Sequence, residues 1–367
     1  MNKFALLRSI KGRFTAKQFV SAHLFRNERT LSTLHPYTAL APSLTVLKTQ
    51  IMRRSSQHYE FVENDPINDN FEFTEIEKDV LRNSTLQTPG AHGTHHTYGG
   101  IICAHALAAA DKTVPSELNC HSFQCNFIIR VDQSISVQYH VTRVFDGRSF
   151  VTRSVECKQE GVVKFVALVA YHKLEPHSIE HQSTIPSVPN PADCEDFDVP
   201  WAFTQAFTPA KHRIDYEDVD FTDINRPRIF QAHEMRCIDP RRYHTTRDTT
   251  AKHYFWTRYK FPIEDTRRMH VLTLLYISDT SNNLLVVNSH LHDGFHIAMQ
   301  GTLSHAMYFH GRPFNANEWM LIEMESTNAA HGRGLARGQI WNERGDLIAS
   351  YSQEVVMRAK KDEEAKM

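Results

Sequence analysis

The stretch from Tyr98 to Ala110 limits what this chain can become more than any other. Tyr98, Ile101, Ile102, His105, Ala108 and Ala109 recur at helical spacing, with Gly99-Gly100 at the start. The positions between them are also small or apolar, so the helix has no polar face to offer to water and must be buried. A buried helix needs a wrapper, and the following residues supply one. Phe123, Cys125, Phe127 and Ile129 alternate with polar residues, as do Ile135, Val137, Tyr139 and Val141. Asp146-Gly147 and Glu160-Gly161 mark hairpin turns, after which Phe165, Ala167, Val169 and Tyr171 share one strand face. One central helix inside a meander of antiparallel strands predicts an α+β unit over residues 71–175.

The second half carries a similar order. Val271 to Ile277 reads as an apolar strand ending at Ser278-Asp279, followed by a short apolar helix over Asn283 to Ser289. Strands are expected over His296–Phe309, Trp319–Ser326, Leu335–Trp341 and Leu347–Val356, the last two joined by a turn from Asn342 to Asp346. Arg153 and Arg337 are 184 positions apart, as are Gly161 and Gly345, so both halves read as basic strand, glycine turn and apolar strand. Residues 251–360 therefore form a second unit. Between the halves, Pro176, Pro186, Pro189, Pro191 and Pro200 interrupt regular structure, and residues 176–250 read as a linker with some helix and loop.

Composition removes several function classes. Lys and Arg total 41 against 42 Asp and Glu, so no global charge draws the chain to nucleic acid. No apolar run approaches the ~20 residues of a membrane span, so stable membrane insertion is not expected. Six dispersed cysteines without a CxxC pair argue against a disulfide scaffold. The two ends look like addresses. Residues 1–56 hold ten basic residues and a single acid, Glu28, in a Ser/Thr-rich context that resembles a mitochondrial transit peptide. Residues 1–70 are an N-terminal extension, either targeting or disordered. The tail, 361–367, ends in Ala365-Lys366-Met367, which keeps the small–basic–aliphatic pattern of the peroxisomal Ser-Lys-Leu signal.

Single residues do not force a chemistry. Asp279 before Thr280, Ser281 and Asn282 is ordinarily a turn former or helix cap. Thr302 suits a strand, and Gln353, flanked by Ser352 and Glu354, suits a surface or an interface. The histidine groups (His92, His95 and His96; His290, His292 and His296; His305 and His310) match neither HExxH nor a zinc-finger spacing. There is no GxSxG elbow, GxGxxG loop or P-loop, and Cys103 lies in the apolar helix, where a thiol is inert.

Ordered blocks nevertheless resemble one family. Tyr98-Gly99-Gly100, Ala106 to Ala110, His121-Ser122-Phe123 and the run Asp146-Gly147-Arg148-Ser149-Phe150-Val151-Thr152-Arg153 are similar to the first half of the type II acyl-CoA thioesterases. Tyr276 to Asp279, Thr302, His305, Met307, Phe309-His310, Pro313-Phe314, Trp319, Glu325-Ser326, Arg333-Gly334, Gly338, Gln353-Glu354 and Arg358 continue it. The resemblance spans about residues 71–360 apart from the divergent linker. It implies a double hotdog, with no cofactor or metal, that hydrolyses fatty acyl-CoA to fatty acid and CoA. In that reading Asp279 is the general base, and Thr302 and Gln353 orient the attacking water. It also implies a homo-oligomer, and it favours the peroxisome, through an import receptor reading Ala365-Lys366-Met367, over the mitochondrion. Two positions depart from the family pattern: Ile101 replaces the glutamine after the paired glycines, and Ser304 replaces the aspartate before His305. These departures keep an alternative open, a catalytically weak acyl-CoA-binding double hotdog. An enoyl-CoA hydratase would need a His paired with Asp or Glu, and no such arrangement is recognisable.

Overall fold

The computed structural model describes residues 65, 67, 71–83, 97–176, 178–196, 232–238, 252–280, 282–291 and 297–359. His92, His95, His96, His292, His296 and the tail motif Ala365-Lys366-Met367 lie outside them, as does most of the N-terminal extension.

The first half contributes strands β1 (Thr74–Glu77) and β2 (Val80–Asn83), helix α1 (Gly99–Asp111), then β3 (Leu118–Phe127), β4 (Val137–Asp146), β5 (Phe150–Gln159) and β6 (Val162–Lys173). The second contributes β7 (Glu195–Asp196), β8 (His233–Cys237) and β9 (Lys252–Tyr259). Two helices follow, α2 (Arg267–Ser278) and α3 (Asn282–Leu291), and then β10 (Ile297–Phe309), β11 (Met320–Ala330), β12 (Arg333–Asn342) and β13 (Leu347–Ala359). Among the described residues thirteen strands form one sheet in the order β1-β2-β4-β5-β6-β3-β10-β13-β12-β11-β9-β8-β7. The order of the second half mirrors the first across the β3–β10 seam. This is the double hotdog, with a helix against the inner face of each half-sheet.

Helix α1 is buried from Gly100 to Asp111, as its composition requires. Each fully buried Ile or Leu there contributes on the order of 1.5–3 kcal/mol. Val137, Tyr139, Val155, Cys157, Phe165 and Val169 line the inner face around it. The Glu160-Gly161 turn has φ of 49° and 76°, the doubly positive geometry that closes a two-residue hairpin.

Three expectations are corrected. Val271 to Ile277 lies in helix α2 and is not a strand. Every residue from His270 to Ser278 is buried, so the run lacks a polar face, and a short apolar run of this kind fits a buried helix or a buried strand equally well. The start signal was Thr266, whose hydroxyl caps the helix by accepting the Met269 N–H. The span 176–250 also yields two strands, β7 and β8, that extend the sheet beyond β9. Finally, the 184-residue offset matches strands β5 and β12 correctly but pairs opposite faces. Arg153 is fully buried, whereas Arg337 is exposed. A one-residue slip exchanges the two sides of a strand, so the two arginines are not equivalents.

Arg153 shows what the run Asp146 to Arg153 does. Its guanidinium donates to the Thr113 hydroxyl (2.7 Å) and carbonyl (3.0 Å), to the Phe145 and Thr152 carbonyls, and to Asp146. It ties the β4–β5 hairpin to the segment leaving α1. Arg153→Leu is expected to lower the unfolding free energy by about 3–5 kcal/mol, because the acceptors stay buried without their donor. Urea unfolding checks this, and a loss under about 1 kcal/mol would contradict the anchoring role.

Candidate active site

The two central helices run antiparallel, and their ends meet in pairs. At one end Arg268, in the first turn of α2, donates to the carbonyls of Asp111, Val114 and Pro115 at the end of α1. At the other, Asp279 caps the C-terminus of α2 and faces the N-terminus of α1. The Gly100 N–H donates to the Asp279 carboxylate. A Cβ on Gly99 would stand 2.7 Å from Asp279 Oδ2 and 3.1 Å from the Phe127 ring, so only glycine lets the helix start come this close. Tyr98 closes the joint by donating to the Tyr276 carbonyl at 3.0 Å and pairing with the Thr280 hydroxyl.

The three residues singled out in the sequence meet here. Gln353 Nε2 donates to Asp279 Oδ1 at 2.8 Å and to Thr302 Oγ1 at 2.9 Å, and Thr302 Oγ1 donates to Asp279 Oδ1 at 3.3 Å. Gln353 is fully buried, which corrects the surface reading, while Asp279 and Thr302 keep part of their surface open. A signal for Gln353 was present in the sequence. Ala349, Tyr351, Val355 and Met357 occupy the inward parity of β13, and Gln353 shares it.

Burial pushes the Asp279 carboxyl up to about 6, against the opposing pull of Gln353, Thr302 and the Gly100 N–H. The carboxylate is thus a stronger base than an ordinary aspartate and is still ionised near neutral pH.

Strand β10 needs an irregularity to deliver its share. Thr302 pairs with Val355 and Ser304 with Glu354, so Leu303 is an extra residue, a β-bulge. His305, Met307 and Phe309 are buried. In a regular strand Thr302, three positions before His305, would face the opposite side. The bulge brings both to Gln353. His305 Nδ1 lies 2.9 Å from Gln353 Oε1, and His305 Nε2 lies 2.9 Å from the Ser278 hydroxyl. Burial pushes His305 down to about 4, so the ring is neutral. Asn282, at the start of α3, donates to Gln353 Oε1 at 2.9 Å and to the Ser278 carbonyl at 2.7 Å. Asn282 and Ser278 carried no sequence signal for this arrangement. His310 points elsewhere, to Ser350 at 2.9 Å, so His305 and His310 do not meet. The departures leave the cluster intact: Ile101 is packed in the core, and Ser304 flanks the bulge beside Asn126 of β3.

Residues 88–172 match the acyl-CoA thioesterase N-terminal domain, and residues 192–357 match the acyl-CoA thioesterase C-terminal domain. The chain belongs to the acyl-CoA thioesterase family. The family is one of thioester hydrolases, and the relatives of this chain include its type II members. Acyl-coenzyme A thioesterase 8 of Mus musculus is 30% identical, over 78% of this chain and 86% of that protein. Peroxisomal acyl-coenzyme A thioester hydrolase 1 of Saccharomyces cerevisiae is 23% identical, over 75% of this chain and 90% of its own length. The crystal structure of acyl-CoA thioesterase II TesB2 from Mycobacterium marinum superimposes with a TM-score of 0.63 at 27% identity, covering 81% and 99% of the two chains.

The approach of α1 to α2 is open to test in this thioesterase. A Cβ on Gly100 would lie 2.4 Å from the Tyr276 carbonyl oxygen, a backbone atom that cannot turn away. Gly100→Ala is expected to cost about 1–3 kcal/mol in urea unfolding, as overpacking does. A neutral or stabilising result would mean that the two helices are not held as described.

Proposed function

We propose that this chain hydrolyses fatty acyl-CoA to free fatty acid and CoA with one activated water, Asp279 acting as general base while Thr302 and Gln353 orient the water. The observation that carries this reading is the meeting of the three side chains, 74 residues apart at the extremes, around one carboxylate. A thioester carbonyl is electrophilic enough to be attacked without a covalent enzyme intermediate, so the chain needs a base, an orienting pair and a stabiliser for the oxyanion. Asp279 removes the water proton as the oxygen adds to the carbonyl carbon. The N-terminus of α1 beside it turns a positive dipole end toward developing negative charge, while its Gly100 N–H holds the Asp279 carboxylate. Collapse of the tetrahedral species breaks the C–S bond, and the proton held by Asp279 passes to the leaving thiolate. Cys103 is excluded as a nucleophile by its setting, since burial raises its thiol well above the ordinary value.

The pH dependence follows from the sign of the Asp279 shift. The base works only when ionised, and its carboxyl is raised to about 6, so kcat/KM is expected to fall as pH drops through about 6 and to level above it. Asp279→Asn keeps the shape and removes the base, and should reduce thiol release from acyl-CoA by about 10²–10⁴-fold. An Asp279→Asn enzyme with undiminished turnover would refute the assignment. Absence of thiol release by the native protein at every acyl length would favour an acyl-CoA-binding role.

We also infer delivery to the peroxisome through Ala365-Lys366-Met367. A fluorescently tagged chain lacking these three residues is expected to lose peroxisomal import. Unchanged import, or mitochondrial accumulation of the intact chain, would overturn this.

A further inference from the structure

We propose that Asn282 and His305 are positioning residues that lock the Gln353 side-chain amide with its nitrogen toward Asp279 and Thr302. The inference deepens the hydrolytic reading above and rests on it. A glutamine amide is nearly symmetric in shape, and only its neighbours decide which end is the donor. The catalytic arrangement needs the NH2 end on Asp279 and Thr302, because a carbonyl oxygen there would face a carboxylate.

The decision starts at a backbone atom. The Ser278 carbonyl is an acceptor that cannot be turned around, and it fixes the Asn282 amide with Nδ2 toward it at 2.7 Å. The same Nδ2 then reaches Gln353 Oε1 at 2.9 Å, which forces that atom to be the oxygen. Inverting Asn282 would set its oxygen against two acceptors, Ser278 O and Gln353 Oε1. His305 follows from that choice. Its neutral ring has one N–H, and Nδ1 faces this oxygen at 2.9 Å, so the proton sits on Nδ1; the Ser278 hydroxyl, whose single proton also reaches the Leu275 carbonyl at 2.8 Å, then turns to donate to Nε2 at 2.9 Å. Two donors on Oε1 thus point both Nε2 protons to Asp279 Oδ1 and Thr302 Oγ1.

The chain contains its own control. The β3–β6 pair of the first half has the same bulge one strand over: Cys120 pairs with Tyr171 and Ser122 with Ala170, leaving His121 as the extra residue. Aligned on the two bulges, Thr302 corresponds to Cys120, His305 to Phe123 and Gln353 to Val169. Where the glutamine is absent the histidine is absent too, and Phe123 is buried without difficulty. The fold therefore does not need a histidine at this place, and the function of Gln353 does.

The test is a double-mutant cycle on the full chain, reading kcat, KM, the urea midpoint and the acid limb of kcat/KM with one acyl-CoA. His305→Phe and Asn282→Leu should each lower kcat about 10–100-fold with KM changed less than about 3-fold, as misplacement of an orienting group does. Their acid limb should shift upward, because a misturned Gln353 no longer donates to Asp279. His305→Asn, which keeps an amide N–H near the Nδ1 position, should recover part of the rate. In a Gln353→Leu background, His305→Phe should have no further effect on kcat. Equal losses with and without Gln353, or an unshifted acid limb in the folded variants, would overturn the proposal. If His305→Phe does not fold, Asn282→Leu and His305→Asn carry the same comparison. Full activity of Asp279→Asn would instead refute the hydrolytic reading itself, a separate outcome.

Discussion

A carboxylate drawn into a protein interior loses its water and must be compensated by the chain around it. Asp279 is compensated from three strands of sequence at once: an amide from β13, a hydroxyl from β10 and a backbone N–H from the start of α1. The compensation is incomplete, and the carboxyl stays raised to about 6. That residue of unpaid desolvation is what makes the group a base, and the antiparallel abutment of α2 on α1 makes it possible. The requirement explains the paired glycines, since any side chain at Gly99 would fill the place of the carboxylate.

The opposite ends of the same two helices meet the same requirement differently. Asp111 ends α1 as Asp279 ends α2, and burial raises its carboxyl to about 6 as well. Its partners are the Tyr171 hydroxyl at 2.8 Å and the nearby Arg268 charge. In place of the glycine that opens α1, the first turn of α2 sends the Arg268 guanidinium across the gap to three carbonyls. Val169 and Phe123 stand where Gln353 and His305 stand in the other half, and offer nothing to orient a water. One duplicated architecture thus carries one corner tied by a guanidinium and another that gathers a carboxylate, a hydroxyl and an amide, where we propose the chemistry, and the difference lies in a handful of side chains.

Much of this was legible in the residues. Helix α1 and strands β3 to β6 announce themselves, α1 through an alanine-rich run behind paired glycines that suits a helix far better than a strand, and the strands because they bury only one face. Helix α2 does not, since burial on every side erases the pattern that separates a helix from a strand, and only the Thr266 cap distinguishes them. Arg153 and Arg337 mislead for a related reason: two strands of like composition align equally well in either parity, and only burial tells which face is which. The members of the Asp279, Thr302 and Gln353 cluster were identifiable through family resemblance, and Gln353 also through its inward parity. The supporting layer was hidden, because Asn282 and Ser278 act through a helix break that no single residue type marks.

The bulge at Leu303 shows why such a site resists reading from spacing alone. Thr302 and His305 both address Gln353, though an odd separation in a regular strand would put them on opposite faces. The extra residue shifts the parity between them, so the strand uses its upstream part to reach the carboxylate and its downstream part to build the core with Met307 and Phe309. The same irregularity occurs at His121 in β3, where the Cys120 thiol donates across it to the Ser122 carbonyl. A bulge shared by both halves belongs to the geometry by which each half-sheet bends at the seam. The chemistry proposed for the second half therefore draws on a distortion that the fold already contains, and needs only a hydroxyl on one side of it and a hydrogen-bond donor on the other.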